Sequence, residues 1–186
     1  MPPTVSPMTA LSAPSGGAKE QTFFSVSCGA RELPLERMTE THRQVLRYWD
    51  DKRGTQSVPR RAGLDPCDLS RALPNVLLWD ADAAGGYRCR LSGTAVDAGM
   101  GSHLKGMALA DMRCSLIDEA RREFAAACDS GRISFAERTM GWVGKPYLYY
   151  RHLILPLRGS SNEIDQLLCV LTFHNVSERG LRISGS

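Results

Sequence analysis

Two runs near the end of the chain, PYLYYRHLILPL at 146–157 and IDQLLCVLTFHN at 164–175, constrain the fold more than any other feature. In the first, Leu148, Tyr150 and Ile154 alternate with Tyr149, Leu153 and Leu155. In the second, Leu168 and Val170 alternate with Leu167, Cys169 and Leu171. Side chains on a strand point to opposite faces with a period of two, so both strands are apolar on both faces. A sheet built from them has to be covered on both sides. The rest of the chain therefore has to supply both covers.

A third extended run, RISFAERTMGW at 132–142, precedes these two, and Gly- and Ser-containing turns separate all three. Upstream, NVLLWDAD and YRCRLSGT flank Ala83-Ala84-Gly85-Gly86, which reads as a hairpin. Between hairpin and later strands lie short glycine-broken pieces, then a longer helix at about 115–130 with Leu116, Ile117, Ala120, Phe124 and Cys128 at helical spacing. Gly131 ends it. Asp65-Pro66-Cys67-Asp68 reads as the start of a short helix ended by Leu73-Pro74. These pieces can cover one face of the sheet. The other cover is a helix at 35–53, whose stripe of Met38, Val45, Leu46 and Trp49 is followed by Gly54 as a stop. The order predicts an α+β domain around one five-stranded antiparallel sheet, with short helices over one face and an N-terminal amphipathic helix. A doubly wound nucleotide fold would need strands and helices to alternate throughout.

The domain is expected at 34–176. Residues 1–33, rich in Pro, Ser, Gly and Ala, bury too little apolar surface to offset their ordering entropy and are expected to be flexible, with QTFFSV at 21–26 as a clip. Residues 177–186 are expected to fray. No apolar run reaches the ~18 residues of a membrane span, and the first thirty residues show no secretory signal. A net charge of +3 with scattered arginines does not suggest a nucleic-acid groove. The six cysteines, at 28, 67, 89, 114, 128 and 169, form no C-x-x-C pair and read as reduced thiols of a cytoplasmic protein. GMGSHLKG at 99–106 fails both nucleotide-loop templates: Lys105 precedes Gly106, and Leu104 stands where the dinucleotide motif needs glycine. Its glycines are expected to make sharp turns, with Leu104 pointing inward.

Several short pieces recur in a fixed order: Tyr48-Trp49, Arg53-Gly54, Pro59-Arg60-Arg61, Asp65-Pro66, Leu73-Pro74, Tyr87-Arg88-Cys89-Arg90-Leu91-Ser92-Gly93-Thr94, Gly101 to Gly106, and Leu155-Pro156-Leu157. Over about 44–175 the chain resembles a family of single-domain PAS-like proteins of alphaproteobacteria. The resemblance implies the PAS fold and a sensory or regulatory role in signal transduction. It implies a regulatory protein partner, pairing through the N-terminal helix as a homodimer, and an internal pocket for a small apolar or aromatic ligand.

Strand alternation and the broken helices nominate the pocket residues: Trp79, Tyr87, Cys89, Leu91, Met100, Leu104, Tyr150 and His152. Haem-binding PAS domains take a histidine from the region of His103, but one histidine does not make a haem site, and no cofactor or metal is expected. No G-x-S-x-G elbow is present, and Glu119 and Glu123, four apart on the longer helix, read as a solvated face. The chain therefore reads as non-catalytic. The alternatives are a small enzyme using the same pocket, which would need a buried carboxylate beside His152, and a nucleic-acid-binding regulator.

Overall fold

The computed structural model describes residues 31–112 and 116–179. Its strands are β1 (Arg31–Glu32), β2 (Val76–Ala81), β3 (Tyr87–Ser92), β4 (Ser134–Met140), β5 (Lys145–Arg158) and β6 (Ile164–Asn175), and its α-helices are α1 (Glu40–Arg53), α2 (Thr94–Met100) and α3 (Ile117–Ser130). They form one sheet in the order β1-β4-β5-β6-β2-β3, with every neighbouring pair antiparallel.

Five of these strands are the expected ones. The sixth, β1, falls inside the segment read as flexible: Arg31 and Glu32 pair with Glu137 and Ala136, and the Leu33 N–H donates to the Phe135 carbonyl at 3.1 Å. Two residues have no measurable period, so pairing carried by backbone alone leaves no pattern to read. The clip expected at 21–26 lies outside the described residues.

The doubly apolar strands do produce two cores. On one face, Leu78, Leu153, Leu155, Leu157, Leu168 and Val170 meet Val45, Leu46 and Trp49 of α1. On the other, Leu77, Trp79, Ile154, Leu167, Cys169 and Leu171 meet Val96 of α2 and Phe124 and Ala127 of α3. The helix expected at 35–53 is interrupted once, because a 3-10 turn at Leu35–Arg37 precedes the true start at Thr39. The Thr39 hydroxyl accepts from the His42 backbone N–H, and the His42 ring accepts in return from the Thr39 N–H at 3.3 Å. His42 thus stands where a capping box usually has Glu or Gln. Across the sheet, the Trp49 indole donates to the Pro156 carbonyl at 2.8 Å. The apolar stripe of α1 lies against its own sheet, as the second cover that the two-faced strands required. Among the described residues, the exposed large apolar side chains are Tyr147 and Val176.

Gly101 caps α2 at φ 72° and Gly106 turns at φ 85°, while Leu104 between them is buried, so this stretch is a structural turn. Gly93 is required for a different reason. A Cβ there would stand 2.3 Å from the carbonyl oxygens of both Leu73 and Pro74.

Candidate functional site

Between the inner face of the sheet and the layer formed by α3 and residues 100–112 lies a cavity of about 90 Å³. Its floor is the sheet: Trp79 from β2, Tyr150, His152 and Ile154 from β5, Cys169 and Leu171 from β6. Its roof is Phe124 and Ala120 of α3, and its mouth is Met100, Leu104, Met112 and Trp142. A second hollow of about 340 Å³ shares Met100, Leu104, Met112 and Trp142 with it, adds Ser102, Met107 and Asp111, and so forms a vestibule.

Five of the eight expected pocket residues line the cavity: Trp79, Met100, Leu104, Tyr150 and His152. Tyr87 and Cys89 belong to the same core without reaching the cavity. The Tyr87 ring packs edge-on against Phe124, with centroids 5.2 Å apart, and so stands behind the roof. Leu91 is on the opposite face. Leu78 pairs with Leu91 and Trp79 with Cys89, which leaves Arg90 as an extra residue in β3. Such a bulge breaks the two-residue alternation, so Leu91 turns toward Leu78 and the α1 side. Arg90 itself points outward and pairs with Asp80 at 2.9 Å.

The largest departure from the sequence reading is Glu123. It is 4% exposed rather than solvated. Ala120, Glu123, Phe124 and Ala127 form one inward stripe at helical spacing, and that stripe is the signal the i,i+4 pairing with Glu119 obscured. The Glu123 carboxylate accepts from Ser134 Oγ at 3.0 Å and Arg138 Nη2 at 2.8 Å, and lies 2.8 Å from His152 Nε2. Arg138 Nη1 also donates to Glu119 at 2.7 Å. Alternation explains the convergence, since Ser134 and Arg138 of β4 face inward beside Tyr150 and His152 of β5. Burial alone would raise the Glu123 carboxyl, but His152 and Arg138 outweigh it and hold the group at about 2. An ionised carboxylate only accepts, so the hydrogen between it and His152 resides on Nε2.

Three buried nitrogens on the cavity walls have no hydrogen-bond partner: Trp79 Nε1, Trp142 Nε1 and His152 Nδ1. The Cys169 thiol, also on the wall, is pushed well above its ordinary value by burial. The remaining histidines stand elsewhere. His103 is 95% exposed and bonded to Asp97 at 2.9 Å, so it does not enter the cavity. His42 is fully buried on the α1 side, where desolvation pushes it down to about 4. His174 stacks on Tyr149 with centroids 5.1 Å apart. No helix among the described residues is long and apolar enough to cross a membrane.

A sheet with one antiparallel face roofed by short helices over a small internal cavity is the arrangement that the sequence resemblance implied. A family model of the PAS domain matches residues 37–172, most of the chain. The chain belongs to the PAS domain family. No curated protein matches it. Membership points to a sensory or regulatory role, and the cavity beneath α3 is where this PAS domain has room for a ligand.

Proposed function

We propose that this PAS domain is a non-catalytic cytoplasmic sensor that takes a small, largely apolar molecule into the cavity beneath α3 and passes its occupancy to a protein partner or to a second copy of the chain. The carrying observation is the cavity itself, about 90 Å³ and walled mainly by Leu, Met, Phe and Trp side chains. A comparably apolar cavity of roughly 150 Å³ holds a benzene molecule, so the guest is compact. Native mass spectrometry of the full chain, as purified and after exposure to benzene, tests the reading. A bound mass is expected, and the cavity-filling variant Ala120→Phe should lose it. Failure of the wild-type chain to bind any small apolar molecule would refute the proposal. Light scattering of the same samples reports whether the second copy takes part.

One observation favours a second reading, a small enzyme: a buried carboxylate does stand beside His152. A carboxylate that orients a histidine leaves the other ring nitrogen, here Nδ1, available for proton transfer. Two features favour the sensor nonetheless. Both Glu123 oxygens are already engaged, and a carboxyl held at about 2 is a weak base at neutral pH. Recovering the bound molecule with unchanged mass after long incubation supports the sensor, and a changed mass supports the enzyme.

A further inference from the structure

We infer that the guest of this cavity is an uncharged molecule, no larger than a single small ring, that carries hydrogen-bond acceptors. The inference rests on the cavity being a ligand site, as proposed above, and adds the chemistry of what enters. An indole N–H is a donor with no acceptor capacity, and both tryptophans on the wall, Trp79 and Trp142, have a buried Nε1 without a partner. Trp49, on the other side of the sheet, is fully served by the Pro156 carbonyl. A buried donor left unmet is costly, and natural structures rarely tolerate it without a missing water or ligand. Water can meet these donors while the cavity is empty, so the guest is a molecule whose acceptors replace that water and whose body packs on the apolar wall that water cannot serve.

The same network sets the charge of the guest. Arg138 is the guanidinium on the wall, and Glu119 and Glu123 both hold it. An anion would therefore meet an arginine already paired twice, beside two carboxylates that repel it. A cation brings donors only, which leaves both indoles unmet. An uncharged acceptor satisfies them: among the partnerless nitrogens on the wall the two indole donors outnumber the single acceptor, His152 Nδ1, and the apolar remainder of the wall fits its body. Trp79 lies on the floor and Trp142 at the mouth, where it also borders the vestibule. One donor thus meets the guest inside and the other meets it at entry, beside flexible methionines that can give way.

The test uses the full chain at pH 7.5 with three one-ring probes of similar size: pyridine, an acceptor; benzene, neither donor nor acceptor; and pyrrole, a donor. Titration calorimetry and saturation-transfer NMR should show pyridine binding at least as tightly as benzene, despite its costlier dehydration, and pyrrole binding more weakly than pyridine. Trp142→Phe and Trp79→Phe each remove a donor while keeping an aromatic ring. At least one should weaken pyridine by about 2- to 10-fold, the range of one neutral hydrogen bond, and leave benzene unchanged within about twofold. Trp142 stands at the half-buried mouth, so its variant keeps the test decisive if Trp79→Phe fails to fold. Equal losses for pyridine and benzene, or pyrrole binding as tightly as pyridine, would overturn the acceptor assignment while the ligand site stands. Benzoate binding more tightly than pyridine would overturn the uncharged assignment. If no probe binds, the ligand-site reading falls and this inference falls with it.

Discussion

Glu123→Gln is the perturbation with the clearest magnitude. The variant keeps the shape of the side chain and removes its charge, leaving Arg138, whose side chain is 4% exposed, held by Glu119 alone. The carboxyl moves from 4.5 to about 2 on folding, and at about 1.4 kcal/mol per unit this is about 3 kcal/mol of stability at neutral pH. Because the folded value is depressed, the contribution is complete above the unfolded value of 4.5 and is lost as pH falls through 2. Half of it should be gone near pH ~3.2. Urea unfolding of wild type and variant, followed by circular dichroism at several pH values, should show a gap of about 3 kcal/mol at pH 7 that closes on acidification. Adding Arg138→Met to the Gln variant should recover part of the loss, because it removes the cation left with half its partners. A gap under about 1 kcal/mol at pH 7, or one that does not change with pH, would refute the account of the network as a buried, mutually neutralising cluster.

Three further outcomes follow from particular residues. His42, pushed down to about 4 by burial, takes up its proton more readily in the unfolded chain, so stability should fall by about 3 kcal/mol as pH drops from 6.5 to 4; His42→Gln should flatten that part of the profile. Leu91→Ala, at a half-buried position on the α1 side, should cost about 1 kcal/mol, whereas fully buried Leu167→Ala should cost about 2–5 kcal/mol in the same urea titrations. Gly93→Ala should prevent folding or shift the urea midpoint drastically, because the clash is with backbone oxygens; Gly106→Ala meets open space and should show only the milder strain of its φ of 85°.

Much of this was legible in the residues, and the exceptions share a cause. The two-faced strands, the α1 stripe and the hairpin at 83–86 declare themselves through periodicity, which side-chain burial enforces directly. Tyr150, His152 and Trp79 were accessible for the same reason. Leu91 was misplaced because the bulge at Arg90 is a backbone event: Arg88 and Arg90 keep alternating in the sequence while the pairing slips by one. Glu123 was misread because composition suggests a charged face, and only the tertiary arrival of Ser134, Arg138 and His152 makes burial affordable. β1 carries no side-chain signature at all.

The central position of β6 bears on how the chain is made. On the ribosome, α1 is complete at Arg53, yet the carbonyl its Trp49 bonds to comes 107 positions later, and the Arg151 that donates to the Arg37 carbonyl comes 114 later. At about 5–20 residues per second the helix emerges roughly 5–20 s before its packing surface exists. The β2–β3 hairpin fares no better, since its other neighbour is β6, which lies between β5 and β2 and is the last strand to appear. Translation therefore delivers two separate antiparallel units and an unattached helix, and a single late strand joins them. A nascent chain stopped before about residue 164 has neither sheet half able to bury both its faces, so the domain closes in one late step when β6 arrives rather than growing element by element.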